Sequence, residues 1–464
     1  MSILLVGEIF SILLNTPTYV LVIEFILTAS VLCMIFVRSG PRDNSGRKRK
    51  LTKEEEEEAI KNYTPEDLIE ELGYELSSKT VTGRVGKHIT IDGKKCLNVA
   101  THNYLGLLED QTILEKAMVS LKKYGVGSCG PRGFYGTLDV HLDLEDKLAK
   151  FMGAEEAVVY SYGFSTMASA IPAYSKRNDV IFADEKVNFA IQKGLQASRS
   201  TVYFYKHNNM ADLERLLLEK IPLHKKNPKH RRFLVAEGIY MNTGEMCPLP
   251  ELVAIRKKYQ LRLFLDEGIS FGTIGKTGRG LTELLNVDPL EIDLICGSLE
   301  WAVPSVGGFC VGSHFIIEHQ RLSGLGYCFS ASLPPLLTQA AITALDTFEE
   351  HPEMFSELVE VSKKVHKELA SLPKFKLSGD KLSPVKHLFL EDQQKTVEEK
   401  ILILEQIVEK CLSNSLAIVD AKYLLDKEQA NPEPSLRITV NRKLTDDDVK
   451  NCVNVLKNVS NSIC

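Results

Sequence analysis

The stretch LRLFLDEG at residues 261–268 decides the fold class. It is a short, mainly apolar run, and its Asp-Glu-Gly ending is typical of the turn after a buried strand. Similar runs recur along the chain, separated by patterns of helical period such as MADLERLLLEKI at 210–221. The runs that we predict as strands lie at 157–160, 180–183, 201–205, 233–236, 261–265, 294–296 and 308–311. Strands alternating with helices predict an α/β fold with a mostly parallel sheet covered on both faces.

The pattern changes after about residue 345, where long helices and short strands at 388–390 and 436–440 predict a smaller α+β domain. We therefore divide the chain into four regions. They are a membrane anchor with a charged linker at 1–60, an N-terminal arm at 61–95, a large domain at 96–345 and a small C-terminal domain at 346–464.

Residues 17–37 form a separate apolar segment in which Glu24 is the one charge. As a helix it would be about 31 Å long, enough to cross the hydrocarbon core of a bilayer. No Lys or Arg precedes Arg38, whereas six basic residues follow within residues 38–50. This asymmetry predicts a single-pass anchor with the C-terminal bulk in the cytosol. A cleaved signal peptide and a buried core helix are the alternatives.

Composition excludes several classes of protein. With 464 residues, 25% of them charged, and a net charge of -5, the chain is neither disordered nor a general nucleic-acid binder. Its ten cysteines are scattered without a C-x-x-C pair. They therefore predict reduced thiols and no zinc or other metal site.

Asp266 follows a predicted strand, at the sheet edge where ligands collect in α/β folds. It could bind a metal, a sugar hydroxyl or a protonated ring nitrogen, or it could simply cap the next turn. The glycine clusters at 125–133 and 275–280 match neither a dinucleotide fingerprint nor a P-loop. They could be loops of close approach or plain turns. His207 is interpreted as a turn residue.

Several segments, taken in order, resemble the α-oxoamine synthases. They are NYLG at 103–106, GSCGPRGFYG at 127–136 with HLDLE at 141–145, EGIY at 237–240, Asp266-Glu267 and the cluster at 275–280. The resemblance spans about residues 90–445. It implies the pyridoxal-phosphate-dependent aspartate-aminotransferase fold (fold type I) and the joining of an amino acid to an acyl-CoA with loss of CO2. FAIQKGLQAS at 189–198 and YCFSASLPP at 327–335 are similar to a non-catalytic subunit of the branch that condenses L-serine with palmitoyl-CoA.

The resemblance also implies a lysine that holds pyridoxal phosphate as a Schiff base, six residues before a Gly-Gly pair. Counting back from residues 307–308 reaches Trp301 instead. The two histidines of the family pattern are replaced by Ile269 and Asn188, and only the carboxylate for the ring nitrogen remains, as Asp266. These losses predict a vestigial cofactor site with no catalytic residue. Trp301 could plug the vacated pocket or pack like any other aromatic residue.

Enzymes of this fold are dimers with active sites at the subunit interface. The resemblance therefore implies a heterodimer in which a catalytic subunit holds the lysine and pyridoxal phosphate, while this chain supports that site. The predicted interface residues are Cys129, Arg132, Gly133, Phe134, Tyr135, Ser330 and Ser332. Cys129 could equally be a small buried hydrophobe. Arg437 is a candidate contact for a substrate carboxylate, or an exposed arginine at a strand edge.

The resemblance further implies the endoplasmic reticulum membrane, with small activating subunits and ORM-type regulators as partners. Two rival functions stay open at this point. One is a self-sufficient pyridoxal-phosphate enzyme that uses a displaced lysine such as Lys276. The other is a membrane-bound scaffold with no part in catalysis.

Overall fold

A computed structural model of the chain describes residues 16–38, 52–65, 79–224, 230–392, 394–424, 427–429 and 432–463. The chain forms two compact units, residues 1–77 and 78–464. The predicted region boundaries stay predictions. In the predicted linker and arm, residues 39–51 and 66–78 lie outside the described residues.

The first unit contains two described helices, Thr18–Arg38 and Lys53–Asn62. Among the described residues, no helix is both long and apolar enough to cross a membrane, which corrects the span predicted at 17–37. The second helix begins with a capping box between Thr52 and Glu55.

The described strands of the second unit are β1 Val81–Thr82, β2 His88–Ile91, β3 Lys94–Asn98, β4 Glu156–Tyr160, β5 Val180–Asp184, β6 Thr201–Tyr205, β7 Arg232–Glu237, β8 Arg262–Asp266, β9 Leu294–Ser298, β10 Gly308–Gly312, β11 Phe375–Ser378, β12 Val385–Leu390, β13 Leu416–Ala417, β14 Val419–Asp420 and β15 Ser435–Thr439. The described α-helices of this unit are Gln111–Tyr124, Asp139–Met152, Gly163–Tyr174, Phe189–Ser198, Met210–Lys220, Leu249–Tyr259, Leu281–Leu284, His314–Ser323, Leu325–Phe329, Pro335–Glu350, Glu353–Leu369, Val397–Ser413 and Asp446–Ile463.

A seven-stranded sheet in the order β4-β10-β9-β8-β7-β5-β6 forms the centre of this unit. Neighbouring strands from β6 to β9 are parallel, and β10 runs antiparallel to both β9 and β4. The mostly parallel sheet is therefore confirmed, with one reversed strand. Every residue of β5 and of β9 is buried. Burial on both faces explains why these strands read as continuous apolar runs rather than alternating ones.

Helices cover the sheet with apolar faces set by their sequence spacing. Met210–Lys220 begins where the Asn209 side chain accepts a hydrogen bond from the Asp212 backbone N–H. It buries Leu213, Leu216 and Leu217, which lie three and four positions apart. That spacing places all three side chains on one face of the helix.

Two smaller sheets complete the unit. The order β11-β12-β15-β14 is antiparallel throughout and comes from the C-terminal third of the chain. The order β1-β2-β3-β13 includes one parallel pair, in which Leu97 of β3 faces Leu416 of β13. This pairing joins residues near the start of the unit to its C-terminal part.

The carboxyl ends of β5, β7 and β8 bring Asp184, Glu237 and Asp266 to one edge of the sheet.

His207 follows β6 and donates from Nδ1 to Asp184 Oδ1 over 2.8 Å and from Nε2 to Glu245 Oε2 over 3.1 Å. It is a turn residue, as predicted, and it also bridges two carboxylates. Burial alone would lower the pKa of His207, but the hydrogen bonds and charges of Asp184 and Glu245 outweigh it and raise the pKa to about 9.

We expect His207→Gln to flatten the dependence of stability on pH. Because the pKa of the folded state exceeds the unfolded value of about 6.5, the stabilisation is fully present below pH 6.5 and is lost as pH rises through about 9. Thermal unfolding of the full-length chain, followed by circular dichroism from pH 6.5 to 9.5, measures this. His351→Gln, at an exposed histidine, is the control that keeps the wild-type slope. A wild-type slope in His207→Gln contradicts the assignment.

Candidate functional site

A cavity of about 530 Å³ opens at the carboxyl edge of the central sheet. Its walls come from the ends of β8 and β9 and from the start of Gly163–Tyr174, which we call the pocket helix. Residues 419–423, Glu428 and Arg437, beside the C-terminal sheet, form the remaining wall. Its polar and aromatic lining includes Asn188, Asp266, Trp301, His387, Lys422 and Arg437. Asn188, Asp266, Trp301 and Arg437, which the sequence predicts as site residues, therefore meet in one pocket.

Asp266 is held in place at the pocket floor. Its Oδ2 accepts from Asn188 Nδ2 over 3.0 Å, and its Oδ1 accepts from the Gly268 backbone N–H over 2.9 Å. The Asn188 backbone N–H also donates to Glu237 Oε1 over 2.6 Å. Burial raises the pKa of Asp266, and burial together with the charge of Asp266 raises the pKa of Glu237 to about 8. Each of the two neighbouring carboxyl groups therefore disfavours the charged form of the other.

Trp301 packs against the backbone of Gly268, next to Asp266. A Cβ placed on Gly268 would lie 3.0 Å from Trp301 Cζ3 and 3.0 Å from Asp266 Oδ1. The indole also faces the ring of His102, with 5.1 Å between ring centroids and 32° between the planes. Burial and the charges of Arg437 and His387 lower the pKa of His102 well below 6.5, so this imidazole is neutral at pH 7. The stack is therefore an aromatic contact rather than a cation–π pair.

Arg437 on β15 points donors at the same pocket. Its Nη2 donates to the Ala100 carbonyl over 3.2 Å, whereas its buried Nε–H has no hydrogen-bond partner in the described part of the chain. A buried N–H without a partner costs free energy unless an acceptor arrives. His387 lies nearby with both ring nitrogens engaged, and burial lowers its pKa to about 4. Arg437 is thus half-buried in a pocket, not an exposed arginine at a strand edge.

Comparison with known proteins agrees with this geometry. Residues 94–456 match the family model "Aminotransferase class I and II". Long chain base biosynthesis protein 1b of Oryza sativa subsp. japonica is 40% identical over 96% of this chain and 92% of its own length. Serine palmitoyltransferase 1 of Dictyostelium discoideum is 41% identical over 90% of this chain and 88% of its own.

The chain belongs to the class I and II aminotransferase family. Within it the chain groups with the long chain base biosynthesis protein 1 and serine palmitoyltransferase 1 relatives. A solved serine palmitoyltransferase from S. paucimobilis has the same fold, with a TM-score of 0.75 at 24% identity over 83% of this chain and 93% of its own. The pyridoxal-phosphate-dependent aminotransferase fold is therefore confirmed.

The predicted interface residues lie outside the pocket walls of this chain. Ser332 N–H donates to the Gly130 carbonyl over 3.0 Å and Ser332 Oγ donates to Ser128 Oγ over 2.7 Å, so residues 127–136 and 330–332 form one surface. Ser330 caps the end of Leu325–Phe329. We call this surface the loop platform. Underneath it, Arg132 makes a buried two-pronged ion pair with Glu145, at 2.8 and 2.9 Å.

The outer face of the loop platform is aromatic. Phe134 is 65% exposed and Tyr135 is fully exposed, and Gly133 between Arg132 and Phe134 has open space beside it. Cys129 is exposed, which overturns the alternative that it is a small buried hydrophobe. Cys129 and Tyr135 both have positive φ, 56° and 64°, which is strained backbone for residues with a side chain.

Two of the predicted positions, Ile269 and Lys276, lie away from the pocket lining. Ile269 is buried in the core at 2% exposure and does not line the pocket. Lys276, the displaced lysine of the rival hypothesis, does not line it either. Sequence reasoning missed Lys422, which does. Burial opposes the charge of Lys422, but its hydrogen bonds to Asp420 and Glu405 raise the pKa of its ammonium group.

The family implies pyridoxal phosphate, and the pocket residues can be tested against it. That cofactor needs a lysine amine, a carboxylate at its ring nitrogen and free backbone N–H groups at a helix N-terminus for its phosphate. Asp266 matches the carboxylate. In the described lining the one lysine is Lys422, a paired ammonium, and the first N–H of the pocket helix already donates to Glu300. The residues present therefore do not fit the cofactor.

We expect the fluorescence of this chain to stay constant between pH 8 and 6. Trp301 is the only tryptophan, and a neutral His102 does not quench it, whereas a protonated imidazole would. Emission of the full-length chain excited at the indole band measures this. His102→Phe removes the titrating ring and serves as the control. A loss of intensity centred near pH 6.5 that disappears in His102→Phe contradicts the low pKa.

Proposed function

We propose that this chain is a subunit of a serine palmitoyltransferase, an acyltransferase that condenses L-serine with palmitoyl-CoA to 3-oxosphinganine, CoA and CO2. This reaction is the first step of sphingolipid synthesis. Support comes from serine palmitoyltransferase 1 of Dictyostelium discoideum, which is 41% identical over 90% of this chain, and from the long chain base biosynthesis protein 1b relative, which is 40% identical over 96% of it. The reaction belongs to the complex, and in our proposal this chain does not catalyse it alone.

In the complex, a catalytic partner holds the lysine and pyridoxal phosphate, and this chain completes the partner's site. The observation that carries this proposal is the loop platform. It exposes Phe134 and Tyr135 to the outside while the buried Arg132–Glu145 pair fixes it from within. Exposed aromatic side chains on an ordered loop are typical of protein interfaces, where they bury large areas at low entropic cost.

The pocket of this chain adds a second line of support. Trp301 lies where the family pattern expects the lysine, and its indole packs beside Asp266. With its own pocket lined in this way, the chain contributes to catalysis through the surface that it presents to another subunit. Arg437, with its unpartnered Nε–H, stays a candidate contact for a carboxylate.

The two rival functions make different demands on these residues. A self-sufficient enzyme would need Lys422 to lose its proton and both of its carboxylate partners, because Lys276 is not at the pocket. A pure scaffold would need the loop platform for binding alone. The small activating subunits, the ORM-type regulators and the location at the endoplasmic reticulum membrane stay predictions and carry no part of the proposal.

We expect Tyr135→Ser and Phe134→Ser to lower kcat of the purified complex by tenfold or more, because each removes an aromatic side chain that reaches the partner's site. The complex of this chain with its catalytic partner is assayed for CO2 release from serine and palmitoyl-CoA. Subunit stoichiometry and bound pyridoxal phosphate are measured on the same samples.

Phe315→Ser is the matched control, since Phe315 is 83% exposed but lies beside His314, which contacts Glu155 and Glu156 at the amino end of β4. It is expected to leave kcat unchanged. Normal turnover in intact complexes of both platform variants would make this chain a scaffold. A lysine adduct trapped by borohydride on this chain alone would make it an enzyme in its own right.

A further inference from the structure

The pocket helix begins next to a carboxylate from a distant part of the chain. Its N-cap residue, Tyr162, provides no side-chain hydrogen bond to the helix. Instead the Gly163 backbone N–H donates to Glu300 Oε1 over 2.8 Å, and the Gly307 backbone N–H donates to the same oxygen over 3.1 Å. The Glu300 backbone N–H donates to Ser298 Oγ over 3.1 Å, which fixes the start of this segment.

A carboxylate in this position performs the electrostatic task of a bound anion. The N-terminus of an α-helix carries unsatisfied N–H groups and a partial positive charge, and both favour a negative group. The pocket helix has 12 residues, and Glu300 is 137 positions away in sequence from the N–H that it accepts. Glu300 is also one of the residues that line the pocket, so the anion that it provides lies inside the cavity.

The Glu300 carboxylate occupies the position that an anion bound to the Gly163 N–H would take. A Cβ placed on Gly163 would lie 2.7 Å from Glu300 Oε2 and 2.9 Å from its Cδ. A phosphate that approached the same N–H would have to displace the carboxylate, because the two would overlap and both carry negative charge. A side chain at residue 163 would likewise require the Glu300 carboxylate to move.

Trp301, the residue after Glu300, lines another part of the same pocket. Trp301 packs on Gly268 beside Asp266 and stacks on His102. Two consecutive side chains thus occupy two points of the pocket lining. Glu300 places a carboxylate at the helix N-terminus, and Trp301 places an indole beside Asp266, the carboxylate that would face a ring nitrogen. We propose that Glu300 and Trp301 form an internal plug, which takes the place of a phosphorylated cofactor and holds this chain folded without one.

This inference deepens the proposed function and rests on it, since a plugged subunit leaves pyridoxal phosphate to its partner. It makes a chemical prediction of its own. Without the Glu300 carboxylate, the helix N-terminus becomes a site for a phosphate monoester. The prediction concerns binding of the phosphate group only. Pyridoxine 5′-phosphate is therefore the suitable probe, because it has no aldehyde and forms no Schiff base.

The experiment measures binding of pyridoxine 5′-phosphate to the full-length chain by calorimetry, with Trp301 emission as a second readout. We expect Glu300→Ser to bind the probe at least tenfold more tightly than wild type. Pyridoxine without the phosphate is expected to bind both proteins equally. Glu300→Gln, which keeps an oxygen for the Gly163 N–H but loses the charge, should give a smaller gain than Glu300→Ser.

Two controls keep the result interpretable. Glu349→Ser changes an exposed glutamate and should behave as wild type. Circular dichroism checks folding, and if Glu300→Ser is less stable, added inorganic phosphate should raise its Tm while leaving that of wild type unchanged. Equal affinity of wild type and Glu300→Ser, or a folded Glu300→Ser with no gain and no thermal shift, overturns the plug.

The plug and the proposed function can fail separately. Probe binding is measured on this chain without its partner, whereas the loop platform is tested through turnover of the complex. A wild-type chain that binds the phosphate probe as tightly as Glu300→Ser would overturn the plug even if Tyr135→Ser inactivates the complex. Normal turnover of Tyr135→Ser would overturn the proposed support role even if Glu300→Ser gains phosphate binding.

Discussion

Three carboxyl groups side by side at one edge of a sheet constrain the rest of this pocket. Parallel pairing of β5, β7 and β8 ends Asp184, Glu237 and Asp266 on the same edge, where Asp184 and Glu237 are buried and Asp266 is half-buried at the pocket floor. Buried charges of like sign are tolerated only with partners or with bound protons. His207 partners Asp184, and Asn188 contacts both of the others. The hydrogen-bonding groups of His207 and Asn188 are thus engaged by these carboxyl groups and are not available to a ligand.

The plug that we propose gives this pocket an internal substitute for a bound phosphorylated cofactor. Here Trp301 contributes the apolar bulk and Glu300 contributes the negative charge. The Glu300 and Trp301 side chains belong to the chain itself. Their contribution to the pocket therefore does not depend on the concentration of cofactor.

Much of the fold follows from the sequence, because fully buried strands leave a clear apolar signal. All seven predicted runs coincide with strands of the central sheet, and β6 matches residue for residue. Part of the site could also be predicted from the sequence. Asp266 lies at the end of a predicted strand, and Trp301 lies six residues before the Gly-Gly pair at 307–308. Glu300, His102 and Lys422 could not be found in this way. Each reaches the pocket through tertiary contacts, and such side chains have no local pattern.

The errors also have physical causes. The span predicted at 17–37 rested on composition and flanking charges alone, and no described helix is long and apolar enough to cross a membrane. His207 does lie in a turn, but its two carboxylate partners, Asp184 and Glu245, are distant in sequence. The residues of the loop platform were predicted from the glycines at 127–136 and from the dimeric site of the resembling family. What makes it a surface is the bonding between residues 127–136 and 330–332, some 200 positions apart.

The pairing of β3 with β13 has a consequence for how the molecule is made on the ribosome. Leu97 cannot meet Leu416 until more than 300 further residues have been synthesised, which takes tens of seconds at roughly 5–20 residues per second. Arg437 and the wall it belongs to emerge later still. Glu300 and Trp301 leave the ribosome well before that wall exists. Both side chains can therefore take their places in the nascent large domain while the cavity still lacks one wall, and the last segment of the chain closes over a pocket whose lining is already in position.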